Sequence, residues 1–222
     1  MAVNSELYKE ITAELNQKNV TLVAVSKTKS IEEILDLYNL GQRDFGENYV
    51  QELKEKYEQL PKDIRWHFIG HLQSNKVKLI APFVFLIHSA DSLKLLKEIN
   101  KEAKKNDRVI DCLLQVYIAK EETRFGLNEE ELKAIIEVDL KTKELFKNTC
   151  IKGLMGMASF TDDEEIVRNE FKILKSTFDK YSSTFNFQLS IISMGMSADY
   201  KMAIEEGSNM VRIGSLLFGK RV

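Results

Sequence analysis

The chain has 222 residues, of which 44% are hydrophobic and 30% charged, and its 32 basic side chains nearly balance 34 acidic ones for a formal net charge of -2. That is an ordinary globular mix, long enough to bury a sizeable core, and it argues against electrostatic capture of nucleic acid. The polar, amphipathic start MAVNSELYKEITAEL is unlike a signal peptide, no stretch approaches membrane-spanning length, and Cys112 and Cys150 are too far apart to suggest a metal site. Buried free thiols in a reducing, cytoplasmic setting are expected, with no metal, nucleic acid or membrane as partner.

In chain order, short β-rich runs alternate with longer amphipathic stretches. Ser5 to Gln17 is predicted as a helix and TLVAVSK, Thr21 to Lys27, as the first strand. IEEILDLYNLG follows as a helix with Ile31, Ile34, Leu35 and Leu37 or Tyr38 on one face and Gly41 closing it. RDFGEN, RWHFIG and VFLIHSAD are strands, separated by the helices VQELKEKYEQL and QSNKVKLI. A helix LKLLKEINKEAKK begins at Asp91 or Ser92, before the strand VIDCLLQVYIA. Asn128 caps the helix within LNEEELKAIIEVDL, and IKGLMGMAS is the sixth strand. Thr161 and Glu164 form a capping box for a helix running to Tyr181. QLSIISMG and NMVRIGS are the last strands, flanking the helix SADYKMAIEEG, and LLFGKRV is a tail.

Strands that alternate with helices imply a parallel sheet. Eight such units in a chain of about 200 to 250 residues fit a closed (β/α)8 TIM barrel, with a doubly wound open sheet as the alternative. Only Pro61 and Pro82 occur, and no Gly/Ser-rich linker interrupts the pattern, so one domain spanning 1–222 is expected.

In such a barrel, function lies at the C-terminal strand ends. That selects Lys27, Asn48, His71, Arg124, Ser193 to Ser197 and Arg212 to Ser215. Lys27 shares a period-two face with Val25 and Val23, so its ammonium would be partly desolvated beside the charge of Lys29. Both effects favour the neutral, nucleophilic amine that imine formation requires. The alternative is a solvated lysine at a strand end. SMGMS and RIGS fall in the loops after the seventh and eighth strands, where barrels commonly bind phosphate. Small residues there admit close approach of backbone N–H groups, although ordinary turns use the same residues. Arg212 lies inside an apolar strand and needs a partner, either a core carboxylate such as Glu47 or a ligand atom at the mouth. His67 reads as a packed strand residue, His71 and His88 as too scattered for a metal site, and Met155, Met157, Met194 and Met196 as barrel packing or mouth lining. KEINKEAKK reads as a solvated helix face.

The segments LVAVSKTK, FGENYVQE, WHFIGHLQSNK, ETRFGL, GLMGMAS, SMGMSADY and MVRIGSLLFG together cover almost the whole chain. In combination they resemble the pyridoxal phosphate homeostasis proteins (the YggS/PROSC family), which are similar to the N-terminal barrel of bacterial alanine racemase. The resemblance implies a barrel that carries pyridoxal 5'-phosphate (PLP) as an internal aldimine on its first-strand lysine, here Lys27. It implies phosphate contacts from Ser193, Ser197, Gly214 and Ser215 with Met196 alongside, an arginine, Arg212, near the pyridine nitrogen, and Asn48 beside the ring. Family members often carry lysine where this chain has Arg124, so a role there that needs only positive charge is retained.

The implied function is intracellular PLP homeostasis without catalysis, with apo PLP-dependent enzymes as recipients. Alanine racemase has a second domain that supplies a tyrosine base, for which there is no room after Phe218. A guanidinium only donates, so it leaves the pyridine nitrogen unprotonated and the ring a weak electron sink. The alternatives are a weak PLP-dependent amino-acid racemase, a cofactor-free Schiff-base aldolase using Lys27, and a protein-interaction module with vestigial binding.

Overall fold

Two apolar periodicities build the architecture, one of period two in the strands and one of period 3.6 in the helices that cover them. The computed structural model describes residues 3–119, 125–142, 146–184 and 189–219. Its strands are β1 (Thr21–Val25), β2 (Asp44–Glu47), β3 (Arg65–Phe68), β4 (Leu86–Ala90), β5 (Ile110–Gln115), β6 (Thr149–Met155), β7 (Ile191–Ser193) and β8 (Met210–Ile213). They form a closed barrel in which each strand pairs in parallel with the next and β8 returns to β1, with Val23 opposite Arg212. Closure settles the choice between barrel and open sheet.

The helices are α1 (Ser5–Gln17), α2 (Ile31–Asn39), α3 (Val50–Gln59), α4 (Val77–Ile80), α5 (Leu93–Lys105), α6 (Glu129–Thr142), α7 (Glu164–Thr184), α8 (Tyr200–Glu205) and α9 (Ser215–Phe218). Local chemistry sets many of their ends. Ser30 and Glu33 form a capping box on α2, Ser92 caps α5 by accepting Leu95 N–H at 3.2 Å, and Asn128 and Glu131 exchange hydrogen bonds at the start of α6.

Strand alternation divides the apolar side chains into two shells. Outward residues such as Leu22, Ala24, Phe45, Trp66, Phe68, Ile87, Leu114 and Leu154 pack under the helices in the large core. Inward residues Val23, Leu86, Leu113, Met155 and Met210 form a small separate cluster inside the barrel. Full burial of each large outer side chain stabilises the fold by about 1.5–3 kcal/mol. The interior, by contrast, is only partly filled by carbon, which leaves room for polar groups.

The structure departs from the sequence expectation at several ends. The strands stop short of the mouth, and Lys27 lies two residues beyond β1. Asp163, not Thr161, caps α7, because its carboxylate accepts the N–H groups of Glu165 and Ile166, whereas Thr161 Oγ1 accepts only Asp163 N–H. QSNKVKLI is a 3-10 turn over Ser74–Lys76 followed by the single turn of α4. Part of the expected tail is α9, which is tied to the start of the chain by Asn4 N–H donating to Leu217 O at 3.1 Å. Cys112 is buried and its thiol pKa raised by that burial, while Cys150 is only partly buried; both are free.

Candidate functional site

The site begins where the ladder ends. Ser26 N–H donates to Gly46 O at 3.0 Å, extending the β1–β2 pairing by one step before the chain turns. Lys27 follows, partly buried, within a turn closed by Lys29 N–H donating to Ser26 O at 3.0 Å. Lys29 does not present an unmatched charge to its neighbour as expected. Its ammonium donates to Phe218 O at 2.9 Å and lies 3.4 Å from Glu33. On the adjoining loop, Asn48 Oδ1 is buried with no hydrogen-bond partner among the described residues. A buried carbonyl of this kind is costly unless something meets it.

Arg212 enters the barrel from β8 and is almost completely buried. It does not pair with Glu47, which bonds instead to Ser26 and Lys56. Its Nη1 donates to Ser193 Oγ at 2.6 Å and its Nη2 to Gly156 O at 3.1 Å. A guanidinium has five N–H donors, so donor capacity remains. Burial lowers its pKa from the ordinary guanidinium range to about 10, with Asp199 opposing the shift, so it stays a cation at neutral pH.

Behind Arg212 runs a line of polar contacts. Ser193 Oγ lies 3.2 Å from His88 Nδ1, His88 Nε2 lies 2.9 Å from His67 Nδ1, and His67 Nε2 lies 3.0 Å from Asp44 Oδ1. Arg65 closes the line, donating Nε–H to Asp44 Oδ1 at 2.7 Å and a second N–H to Oδ2. The ends fix its direction, since a guanidinium only donates and an ionised carboxylate only accepts. Arg212 therefore donates to Ser193, Ser193 to His88, His88 through Nε2 to His67, and His67 through Nε2 to Asp44. Burial pushes the His88 imidazole well below its ordinary pKa, with His67 and Arg212 adding to the effect. Burial would raise the Asp44 carboxyl, but the hydrogen bonds from Arg65 and His67 outweigh it and hold the pKa below its usual value.

The loops after β7 and β8 meet beside this line. Arg212 N–H donates to Gly195 O at 3.0 Å, and Gly214 N–H donates to Ser197 Oγ at 3.2 Å. As an acceptor there, Ser197 keeps its own proton for another partner. Gly195 has φ +94°, and a Cβ on it would stand 2.6 Å from Ala203 Cβ, so the turn requires glycine. A Cβ on Gly214 would crowd Val25 O at 3.1 Å. Ser215 is exposed at the first turn of α9.

Lys27, Asn48, Ser197, Gly214 and Ser215 thus all follow the C-terminal ends of β1, β2, β7 and β8, and Arg212 lies at the end of β8 itself. Ser193 is different. Its hydroxyl is sealed inside the barrel between Arg212 and His88, so it supports Arg212 and does not face the loops after β7 and β8, where a phosphate contact was expected of it. Met196 gives its backbone N–H to Asp199, which leaves its side chain as the contact to consider. His71 is held by Asp91 at 3.0 Å and stacked on Phe125. Arg124 lies outside the described residues. The sequence reading missed the roles of Asp44, His67 and His88. Period two did carry a signal: outward Trp66 and Phe68 force His67 inward.

Comparison with known proteins agrees with this fold. The family model for the alanine racemase N-terminal domain matches residues 6–222, which defines the class of barrel. A pyridoxal phosphate homeostasis protein of Aquifex aeolicus is 44% identical over 90% of this chain and 86% of its own. One from Helicobacter pylori strain 26695 is 41% identical over 98% of this chain and 95% of its own. PipY from Synechococcus elongatus, solved with PLP bound, superposes with a TM-score of 0.88 at 31% identity, covering 97% of this chain and 99% of PipY. A Clostridium difficile alanine racemase shares the fold at a TM-score of 0.75 and 15% identity, with 59% of its chain covered. The chain belongs to the family of pyridoxal phosphate homeostasis proteins.

Proposed function

We propose that the chain, acting as one barrel domain, binds PLP covalently through Lys27 and serves to hold, buffer and hand over the cofactor. PLP held here would supply an aldehyde able to condense with a lysine amine, releasing water. Lys27 is the amine at the mouth. Arg212 would meet the ring nitrogen as a hydrogen-bond donor, and Asn48 would offer its unmet amide oxygen near the ring. Ser197 and Ser215 would donate to the phosphate, Gly214 would admit its close approach, and Met196 would pack alongside. The observation that carries this reading is Arg212: a buried cation with unspent donors and no carboxylate within hydrogen-bond reach among the described residues. Such a group is costly unless a ligand completes it. PipY, a relative of nearly equal length with PLP bound, supports the same cofactor here.

The same arginine favours a carrier over a catalyst. It stays protonated at neutral pH and only donates, so no proton is supplied to the ring nitrogen and electron withdrawal by the ring stays weak. Apo PLP-dependent enzymes are the recipients in this reading. The two free cysteines suit a reducing, cytoplasmic setting.

The test is spectroscopic and kinetic. Purified protein given PLP should show a near-visible absorbance band that Lys27→Ala lacks, and pyridoxal without phosphate should bind much more weakly. Chiral chromatography of L-alanine after long incubation should show no substantial racemisation. Saturable racemisation at about 1 per second or faster, as typical enzymes show, would replace the carrier by a racemase. A protein that forms no band would return Lys27 to other Schiff-base chemistry.

A further inference from the structure

The turn that carries Lys27 is held from both sides by one buried charge cluster. Lys56 projects from α3 and is almost wholly buried. Its ammonium donates to Ser26 O at 2.7 Å, to Glu47 Oε1 at 2.8 Å and to Glu52 Oε1 at 2.7 Å. Those bonds use all three of its donors. Ser26, immediately before Lys27, also donates its hydroxyl to Glu47 Oε1 at 2.6 Å. Thr28, immediately after Lys27, donates its N–H to Glu52 Oε1 at 2.5 Å.

Thr28 has φ +64°. A β-branched residue rarely adopts the left-handed region, and it persists there only where its surroundings over-determine it. Glu52 supplies that constraint by holding the Thr28 amide, and Lys56 in turn holds Glu52. Ser26 O accepts both Lys56 and the turn-closing Lys29 N–H. Lys27 is therefore the middle of a turn whose flanking residues both end on the same cluster.

We propose that Lys56 is a positioning residue for Lys27: with Glu47 and Glu52 it clamps the Ser26–Thr28 turn so that the Lys27 side chain leaves the end of β1 toward the mouth. The proposal rests on the reading of Lys27 as the attachment point. Fold stability alone is a poor account of the cluster. A buried ion pair contributes little net stability over apolar residues of the same size, whereas charge-assisted hydrogen bonds are short and directional and so hold their partners in place. Here those partners belong to residues 26 and 28.

The experiment compares wild type, Lys56→Met, and Lys56→Met combined with Thr28→Gly. Glycine accepts positive φ without strain, so it relieves the need for the clamp. The rate of covalent band formation with PLP is measured by stopped flow, and the affinity for pyridoxine 5'-phosphate, which lacks the aldehyde, by calorimetry. Lys56→Met should slow band formation by about tenfold or more, as misplacing a reacting group does, with the affinity for the aldehyde-free ligand changed less than about twofold. The double variant should recover much of the rate. An unchanged rate in Lys56→Met, or equal losses in rate and in aldehyde-free affinity without recovery by glycine, would overturn the proposal. Should Lys56→Met fail to fold, Glu52→Gln at the more exposed edge of the cluster carries the same comparison. Borohydride labelling of the wild type at a residue other than Lys27 would remove the underlying reading, and this proposal with it. Labelling at Lys27 with an unaffected Lys56→Met would remove this proposal alone.

Discussion

At the scale of single residues, burial sets the behaviour of Glu47 and Arg212. Burial raises the Glu47 pKa from 4.5 to about 7, against the pull of Lys56 and the Ser26 hydroxyl. The native state therefore holds this proton more tightly than the unfolded chain does. The stability it contributes is present below pH 4.5 and is lost as pH rises to about 7. Glu47→Gln should flatten that part of the pH–stability curve, measured by urea denaturation at pH 5 and pH 7.5; an identical slope in both proteins would contradict the assignment. Ser193→Ala should cost about 1–3 kcal/mol in the same assay, because it strips a partner from the buried Arg212. Ser215→Ala should instead leave stability nearly unchanged, Ser197→Ala should cost about 1 kcal/mol by taking the acceptor from the Gly214 N–H, and each should weaken PLP binding by about 1 kcal/mol. Lys27 was legible because an apolar strand leads to it and the surrounding segments resemble a family. Lys56 was not, since VQELKEKYEQL shows only a helix in which Lys56 is one of several charged positions, and only partners 9 and 30 residues away show that it is buried.

At the scale of elements, β2, β3, β4, β7 and β8 each contribute one side chain to the interior line from Asp44 to Arg212. Nitrogen NMR of the histidine rings should find His67 and His88 both carrying their proton on Nε2. Asp44→Asn, whose amide can donate as well as accept, should disturb both signals and the Arg212 side chain with them. Protonated Nδ1 on either ring at neutral pH would contradict the direction argued from the two ends. This line was hidden from sequence because its members lie 21 and 105 residues apart, although strand alternation already turned His67 inward. Helix limits were read more readily, since caps are local. Asn128 was found by its type and position, while α7 was assigned to Thr161 because a Ser/Thr-x-x-Glu pattern outranked the Asp163 nearer the helix. Asp163→Ala should destabilise by about 1 kcal/mol, the usual loss for an N-cap, and Thr161→Ala by less.

At the scale of the whole molecule, barrel closure makes one mouth from segments nearly two hundred residues apart. Alternation of strands and helices was readable along the chain, and the number of units and the length fitted closure but left an open sheet as the alternative, which the pairing of β8 with β1 removes. What could not be read was the interior, because whether a barrel is filled by carbon or by a polar line depends on eight strand registers at once. Ligand binding should report on that mouth through global stability. PLP at about a hundred times its dissociation constant should add about 2.7 kcal/mol to unfolding, and Lys27→Ala at the same concentration should gain far less. The most direct measurement is reduction of the PLP-loaded protein with borohydride, followed by peptide mapping. The account predicts a single pyridoxyl group on Lys27, absent from the Lys27→Ala protein. Modification of another lysine, or no adduct at all, would contradict it.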